Sequence, residues 1–275
     1  MAAAVITGGG RGLGRAIAAV LAERGLDVHV TDVDADAAEQ AAVAIGGRAW
    51  SSPLDVRDED ACRKVAAATV ERAGSIDVWV NNAGILITGH SWEQGEEVRR
   101  AMMEINATGT MNGTIAALGP MLEAGRGHVI NIISLAGLVA APGEVNYAAS
   151  KHAAMAFTLG TLFDLRRAGH QDIHLSAVCP DGIWTPMLED KLEDPDAAGS
   201  FSGQLLMPEQ VATEVGKLLD RPRPVLTIPR WRGAMIRIFD AFPSLMVRLL
   251  PSLFRDALRR QKGYKKKIES GRWPK

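Results

Sequence analysis

The sequence predicts an α/β fold, a doubly wound sheet of about seven parallel strands with helices on both faces. Two features predict it. Short apolar runs alternate along the chain with longer segments of helical periodicity, as in consecutive βαβ units. A glycine-rich loop also separates the first apolar run from the first helical segment, at a place where such sheets bind ligands.

The elements follow from these patterns in chain order. The predicted strands are the apolar runs Ala3–Thr7, Asp27–Asp32, 48–51, 76–81, 128–134, 173–179 and Val225–Ile228. The predicted helices are the segments 13–24, Ala35–Ile45, 58–73, 92–124, 146–167 and 208–219. Right-handed crossovers place these helices on both faces of a parallel sheet. Ligands of such sheets bind outside the carboxyl ends of the strands, so functional residues should directly follow the apolar runs.

Length and the absence of a linker or second core predict one domain, residues 1–229, which ends just after the last predicted strand and is followed by an extension, residues 230–275. The 275 residues are 47% hydrophobic and 23% charged, which is a normal balance for a globular core. Cys62 and Cys179 have no paired or metal-ligand spacing, so we expect inert thiols and no metal site. The start methionine leads straight into the first strand and leaves no room for a signal peptide, which predicts a cytoplasmic protein.

The loop after the first strand, TGGGRGLG, is typical of a dinucleotide-binding site in a Rossmann-type sheet. Its glycines let the backbone turn sharply and approach a pyrophosphate, whose charge is met by free N–H groups at the helix N-terminus. An acid, Asp32, lies 18 residues beyond the last glycine, at the end of the second strand. The loop residues expected to bind the cofactor are Thr7, Gly8, Gly10, Arg11, Gly12, Leu13 and Gly14.

Asp32 favours NAD over NADP as that cofactor. A carboxylate there can accept hydrogen bonds from both hydroxyls of the adenine ribose. It would repel a 2′-phosphate by about 4 kcal/mol per charge pair at about 4 Å and an effective dielectric constant of about 20, before screening. Arg11 argues the other way, because a guanidinium in the glycine loop can pair with such a phosphate. We therefore expect NAD, with NADP as the less favoured cofactor.

Two further strand ends fit the same nucleotide. The third strand is followed by LDV, in which Asp55 and Val56 are positioned to hold the adenine. The fourth strand ends in NNAG, and its small residues let the cofactor lie close to Asn82, Ala83 and Gly84. Either motif alone is more often an ordinary turn, but together they line a single groove.

Three polar residues predict the chemistry. Ser134 follows the fifth strand, and Tyr147 and Lys151 lie four residues apart in NYAASK, on one face of a helix. An ammonium near a phenol stabilises the phenolate and lowers the tyrosine pKa from about 10 towards working pH. Tyr147 then suits general acid/base catalysis of a carbonyl/alcohol redox reaction, while Ser134 hydrogen-bonds the substrate oxygen.

The motifs together resemble those of the short-chain dehydrogenase/reductase family of the single-domain type. TGGGRGLG, NNAG, Ser134, YAASK and the proline after the sixth strand occur in the family's order and spacing, over residues 2–229. The resemblance implies the catalytic set Asn106, Ser134, Tyr147 and Lys151, in which the backbone of Asn106 supports a water leading to the lysine. It also implies that Lys151 holds the nicotinamide ribose, and that the chain forms a homodimer or homotetramer.

After its sixth strand the family shows proline-glycine and then residues that bind the nicotinamide amide. The resemblance puts Pro180, Ile183 and Thr185 at these cofactor positions, and Asp181 stands where the family has glycine. Two interpretations of Asp181 stay open. Its carboxylate either caps the following turn, which Gly182 eases, or hydrogen-bonds a substrate hydroxyl and disfavours anionic substrates.

The segment 187–207 corresponds to the family's variable loop, which closes over the substrate. Its apolar residues predict an apolar lid. The expected substrate contacts are Asp181, Gly182, Met187 and Phe201.

The extension is strongly basic. Residues 230–275 contain 13 Lys/Arg and 3 Asp/Glu, whereas the rest of the chain contains 18 and 29. Short amphipathic helices broken by Pro243 and Pro251 are expected, and they either pack on the sheet or on a partner subunit or lie on an anionic membrane surface. Nucleic-acid binding is not expected, because the basic residues alternate with apolar ones and not with stacking aromatic residues.

These observations predict an NAD(P)-dependent oxidoreductase of a secondary alcohol or ketone. The apolar loop and extension suggest a lipophilic substrate, such as a steroid, a terpenoid or a fatty-chain compound. An alternative is an NADP-linked ketone or 3-oxoacyl reductase. A non-catalytic nucleotide-sensing protein is the alternative from a different class, and the presence of both Tyr147 and Lys151 disfavours it.

Overall fold

A computed structural model describes residues 2–273 and contains the predicted sheet. Seven strands pair in the order β3-β2-β1-β4-β5-β6-β7, and every pairing is parallel. The strands are β1 Ala3–Thr7, β2 Asp27–Asp32, β3 Ala49–Pro53, β4 Val78–Asn81, β5 Gly127–Ile132, β6 Ile173–Pro180 and β7 Val225–Ile228. The strand order reverses between β1 and β4, which confirms the doubly wound fold and fixes the position of its ligand crevice.

Helices connect the strands in the expected places, with one interruption. The α-helices are α1 Gly12–Glu23, α2 Ala35–Ile45, α3 Glu59–Ala73, α4 Glu96–Met102, α5 Gly109–Ala124, α6 Val145–Arg167, α7 Pro186–Glu189, α8 Pro208–Lys217, α9 Arg230–Asp240 and α10 Pro243–Glu269. The segment predicted as one helix, 92–124, begins instead at Glu96 and contains a π-helix, Met103–Thr108, between α4 and α5. Short 3₁₀-helices form at Leu135–Gly137 and Pro195–Phe201.

The core has two layers because neighbouring residues of a strand point to opposite faces of the sheet. Ile6 of β1 packs in one layer with residues of α1, α2 and α8. Its neighbour Val5 packs in the other layer with Trp79 and residues of α3, α5 and α6. Both faces are thus covered, as parallel sheets require. Asp34 and Asp58 cap α2 and α3 by accepting hydrogen bonds from the backbone N–H groups of the first turn.

The extension packs on the sheet domain at two places. In α9, Gly233 lies against Thr227 of β7, and Ile236 packs against a cluster that contains Cys179. In α10, Ala257 and Gln261 are buried on the 3₁₀-helix Pro195–Phe201. Among the described residues, no helix is long and apolar enough to cross a bilayer.

Candidate active site

The ends of β1 and β4 are tied together at the strand-order reversal. The Thr7 hydroxyl oxygen accepts hydrogen bonds from the backbone N–H groups of Asn82 and Ala83, each at 3.1 Å. The Asn82 side-chain amide donates to the carbonyl oxygen of Gly8 at 2.8 Å. The Thr7–Gly8 turn and the NNAG turn therefore form one rigid floor of the crevice.

The glycine loop lies on this floor. Gly8 has φ +61°, and a Cβ atom there would lie 2.8 Å from the Cα of Ala83, so the turn needs glycine. Helix α1 begins at Gly12, and its first N–H groups face the loop, which is the arrangement that binds a pyrophosphate. Leu13 and Gly14 are buried beneath the loop, whereas Arg11 is exposed.

Asp32 closes one side of the loop. Its carboxylate accepts hydrogen bonds from the backbone N–H groups of Gly10 at 3.0 Å and Asp34 at 3.1 Å. A carboxylate has about four acceptor positions, so two remain for hydroxyl donors. Asp32 is 8% exposed at the carboxyl end of β2, where those positions meet the crevice.

The residues expected at the adenine differ in their surroundings. The Asp55 carboxylate pairs with the Arg57 guanidinium at 2.5 Å, and this hydrogen bond holds the pKa of Asp55 below its usual value. Val56 is buried against Gly109 of α5. Gly84, in the NNAG turn, lies beside the side chains of Asn106 and Lys151. The adenine role of Asp55 stays a prediction, and its side chain is already engaged by Arg57.

Ser134, Tyr147 and Lys151 meet beyond the ends of β5 and β6. The Lys151 ammonium lies 5.7 Å from the centre of the Tyr147 ring and donates a hydrogen bond to the carbonyl oxygen of Ile132 at 3.0 Å. Burial lowers the pKa of Lys151 to about 8. Ser134 hydrogen-bonds the Tyr147 side chain, so the hydroxyl and the phenol face the same space.

The pKa of Tyr147 moves in the direction opposite to the one expected from Lys151. Burial is the largest effect and raises it, and the charge of Glu144 raises it further, whereas the hydrogen bond with Ser134 lowers it. The pairing with Lys151 predicted only the stabilising effect of an ammonium. The phenol is therefore protonated at neutral pH, which is the form that reduction of a carbonyl requires, but the raised pKa makes it a weaker acid.

Asn106 lies in the π-helix and is fully buried. Its side-chain oxygen accepts from the N–H of Ile85 at 2.8 Å, and its amide donates to the carbonyl of Ile85 at 2.9 Å and to the Ser150 hydroxyl at 3.0 Å. The side chain thus joins the NNAG turn to α6, which is a positioning role beyond the expected backbone role. π-helices are frequent at functional sites, but no sequence pattern predicted this one.

The end of β6 brings the predicted nicotinamide-binding residues to the glycine loop. Pro180 is the last residue of β6. Ile183 forms an isolated parallel bridge with Leu206, and the Thr185 side chain lies against Gly12. The segment after β6 therefore crosses the crevice beside the loop that opens α1.

The Asp181 side chain is buried and is engaged by a residue of the extension. Its carboxylate forms an ion pair with Arg232 of α9 and accepts a hydrogen bond from the N–H of Gly182 at 3.0 Å. The two charged side chains are 6% and 13% exposed, and burial raises the pKa of Asp181 to about 6. The turn interpretation thus has geometric support, and the substrate contact expected for Asp181 stays a prediction. Arg232, 51 residues away in the sequence, was not anticipated as its partner.

The segment predicted to form an apolar lid has its largest apolar side chain inside the protein. Phe201 is fully buried, in a cluster with Leu188, Leu205 and Tyr264 of α10, because the 3₁₀-helix folds its apolar face under the extension. Gly182 packs against the backbone of Ser200 so closely that a side chain would overlap it. Of the expected apolar contacts, Met187 is 41% exposed and accessible.

Glu144 is a buried acid that the sequence motifs did not single out. It is 3% exposed, three residues before Tyr147, and accepts a hydrogen bond from the Ser200 hydroxyl at 2.6 Å. Burial raises the pKa of Glu144 to about 7, with smaller contributions from the charges of Asp194 and Asp181. This contact joins the segment 187–207 to the start of α6.

The two cysteines are core residues: Cys62 lies in α3, and Cys179 lies near the end of β6. Cys62 and Cys179 are buried and free, and burial raises the pKa of each thiol to about 12. Within residues 2–273, no group of three or more His, Cys, Asp or Glu side chains is arranged to hold a metal ion.

The chain is similar to known proteins over most of its length. The family model described as short chain dehydrogenase matches residues 2–196. Oxidoreductase UcpA of Salmonella typhimurium is 34% identical over 222 residues, which are 78% of this chain and 79% of that protein. Cyclopentanol dehydrogenase of Comamonas sp. is 33% identical over 206 residues, 74% of this chain and 81% of that protein.

A solved structure is similar over most of the chain. The crystal structure of a short chain dehydrogenase/reductase from Burkholderia phymatum, in complex with NAD, has a TM-score of 0.78 and 27% sequence identity. The match covers 86% of this chain and 91% of that chain, so it extends well beyond the glycine loop.

Proposed function

The chain belongs to the short-chain dehydrogenase family, and on that basis we propose that it transfers a hydride between NAD and a secondary alcohol or ketone. The observation that carries the proposal is the Ser134, Tyr147 and Lys151 group beside a glycine loop that Asp32 closes. Family membership makes the chain an oxidoreductase, and the residue roles and substrate are inferred from the site.

The side chains divide the chemistry as follows. When bound, the nicotinamide supplies or accepts the hydride. In reduction, Tyr147 donates its phenolic proton to the carbonyl oxygen, and Ser134 hydrogen-bonds the same oxygen as charge develops on it. The buried Lys151 ammonium stabilises the resulting phenolate. Asn106 holds the NNAG turn against α6, so that Gly84 stays next to Lys151. In oxidation, Tyr147 takes the proton of the alcohol.

The cofactor assignment rests on fit. The free N–H groups at the start of α1 suit a pyrophosphate, and Asp32 retains acceptor positions for the ribose hydroxyls. Its charge opposes a 2′-phosphate, which favours NAD, and the similar Burkholderia phymatum structure was solved with NAD. Arg11 is exposed on the loop and is the residue that would favour NADP.

We infer a lipophilic substrate. The exposed side chain of Met187 and the apolar residues Trp184 and Leu206, both partly buried, lie in the segment after β6. The relative named cyclopentanol dehydrogenase supports a neutral alcohol. Steroids, terpenoids and fatty-chain compounds are the candidate classes, and an NADP-linked ketone or 3-oxoacyl reductase is the alternative within the family.

Turnover of a panel of lipophilic secondary alcohols with NAD, followed by NADH absorbance, tests the proposal. Tyr147→Phe should lower kcat/KM by about 10²- to 10⁴-fold while NAD still binds. Thr213→Val is the control, because it removes a hydroxyl that donates to the carbonyl oxygen of Glu209 on the exposed side of α8, away from the crevice.

Two outcomes would contradict it. Equal activity of Tyr147→Phe and the parent on every active substrate would remove the catalytic assignment. NAD binding without turnover of any alcohol or ketone would favour the nucleotide-sensing alternative. Preference for sugars or polyols over sterol-like ketones would overturn the lipophilic class alone.

We propose further that the protein is a cytoplasmic homodimer or homotetramer whose residues 230–275 contact a membrane. Exposed apolar side chains on the π-helix, α5 and α6 support self-association; they are Met103, Ile115, Leu122 and Phe163. Light scattering after size-exclusion chromatography measures the oligomer directly, and a monomeric mass would refute this part.

A further inference from the structure

The turn between α9 and α10 carries an exposed apolar surface, which we call the apolar tip (residues 238–254). Its exposed side chains are 40–71% accessible: Ile238, Phe242, Leu245, Val247, Leu249 and Leu253. Single exposed apolar residues are common on proteins, but a contiguous group of this kind marks an interaction surface.

The first half of α10 has the composition of a buried helix. From Pro243 to Phe254 its single charged residue is Arg248, and apolar side chains occur on all sides. A helix that is apolar all round is normally enclosed by protein or by lipid. In the structure this half is exposed on most of its surface, so the chain itself does not enclose it.

The other half of α10 holds the tip in place. Gln261 donates hydrogen bonds to the carbonyl oxygens of Lys191 at 3.0 Å and Asp194 at 2.7 Å. Ala257 is buried on the sheet domain, and Tyr264 packs beside Phe201. With about 1.5 Å per residue, the 27-residue helix is about 40 Å long. The second half of α10 is therefore fixed on the sheet domain, and the apolar tip lies at the other end of the helix.

Positive charge flanks the tip on both sides. Arg237 precedes it on α9, and Arg255, Arg259 and Arg260 follow it on α10; all four are exposed. Two acids, Asp240 and Asp256, lie in the same stretch, and Asp256 pairs with Arg260 at 2.8 Å, so the flanks keep a positive balance. The whole extension, residues 230–275, has a balance of ten positive charges, from 13 Lys/Arg and 3 Asp/Glu. Apolar side chains at a tip with basic residues just behind them match the interface of an anionic bilayer, where acyl chains meet anionic headgroups.

We propose that the apolar tip inserts into the interfacial layer of an anionic membrane, with the basic flanks on the headgroups. Since no helix among residues 2–273 can cross a bilayer, the contact is peripheral. The proposal is independent of the redox chemistry, because none of its residues lies in the catalytic group. The competing partner for the tip is a second copy of the chain, because the residues outside 230–275 carry a net negative charge. The experiment must distinguish this partner from a membrane.

Flotation of the full-length protein with liposomes tests it. Vesicles of phosphatidylcholine with phosphatidylserine should carry the protein upward, vesicles of pure phosphatidylcholine much less, and added salt should weaken binding. Leu245→Ser/Leu249→Ser should lower the partition coefficient on the anionic vesicles at least about tenfold, since each lost leucine contact contributes to burial. Arg255→Gln/Arg259→Gln should weaken binding to anionic vesicles only.

Val43→Ser is the matched control, because Val43 is 74% exposed on α2, away from the tip, and its loss should leave flotation unchanged. Thermal melts establish that each variant is folded, and Val247→Ser provides a second tip variant, since Val247 is 71% exposed. Failure of the intact protein to float on anionic vesicles would overturn the proposal. Tip variants that float normally would also overturn it. Tip variants that lose only self-association in light scattering would show that the tip binds a second copy of the chain and not a membrane.

Discussion

The buried ion pair between Asp181 and Arg232 allows a quantitative prediction about the extension. Arg232→Met keeps a long apolar stem but removes the guanidinium that compensates Asp181. The pair connects the end of β6 with α9, and its side chains are 6% and 13% exposed. The variant therefore leaves a buried carboxylate whose charge has lost its partner.

The size of the effect follows from this burial. Removing one partner of a buried pair costs about 3–5 kcal/mol, and the slight exposure of Arg232 favours the lower end, about 3 kcal/mol. An unfolding entropy of about 2.1 cal/mol/K per residue gives about 0.6 kcal/mol per degree for 275 residues. The melting temperature should fall by about 5 °C.

The loss should depend on pH in a defined direction. Burial raises the pKa of Asp181 to about 6 while Arg232 opposes the rise, so removing Arg232 raises it further. In the variant, the folded state then holds a proton that the unfolded chain, with a carboxyl pKa of about 4, releases. Stability of the variant therefore falls as the pH rises from about 4 through the raised pKa. The deficit should be largest near pH 8 and smaller near pH 5.

Thermal melts of four proteins at both pH values check this reasoning: the parent, Arg232→Met, Arg237→Met and Asp181→Asn/Arg232→Met. Arg237 is exposed on the same helix and serves as the control. The double variant removes both charges and should recover most of the loss. A deficit for Arg232→Met no larger than that for Arg237→Met, or one independent of pH, would refute it.

Two further predictions concern the crevice. Asp32→Ala should raise the Kd for NAD about 10- to 100-fold, because charged hydrogen bonds to the ribose are lost, and should narrow the preference for NAD over NADP. Cofactor titrations measure both Kd values, with Asp36→Ala at an exposed position as the control. An unchanged ratio of the Kd values for NAD and NADP would contradict the assignment. Burial raises the pKa of Glu144 to about 7, so the folded protein holds a proton that the unfolded chain releases above about pH 4.3. The folded state of the parent is therefore destabilised as the pH rises from about 4.3 to 7, by on the order of 3 kcal/mol. Glu144→Gln should flatten the change in melting temperature between about pH 5 and 8. A pH dependence equal to that of the control Glu39→Gln, at an exposed position of α2, would count against this account.

Local patterns were enough to predict the sheet and to bring the right segments to one crevice. Strand ends of a parallel sheet share an edge, so TGGGRGLG, NNAG and NYAASK had to meet once the βαβ order was recognised. The pKa of Tyr147 was less predictable, since the spacing to Lys151 is visible in the sequence but the burial of the phenol is not.

The rest of the site depends on contacts between distant parts of the chain. An apolar residue such as Phe201 predicts a lid as readily as a core, and only its packing against Tyr264 distinguishes them. The partner of Asp181 comes from an extension whose docking has no local signature. Glu144 carries no motif, and its importance appears only when Ser200 closes over it.

The loop 187–207 is held by contacts from two parts of the chain, which form its two walls. One wall, Glu144, belongs to the segment that carries Tyr147. The other, Arg232 and Tyr264, lies outside residues 2–196, the stretch by which the family is recognised. Substitutions in that second wall would reshape the loop without altering Ser134, Tyr147 or Lys151. On the proposed function, substrate preference then depends partly on residues of the extension, which lie outside the stretch that the family model matches.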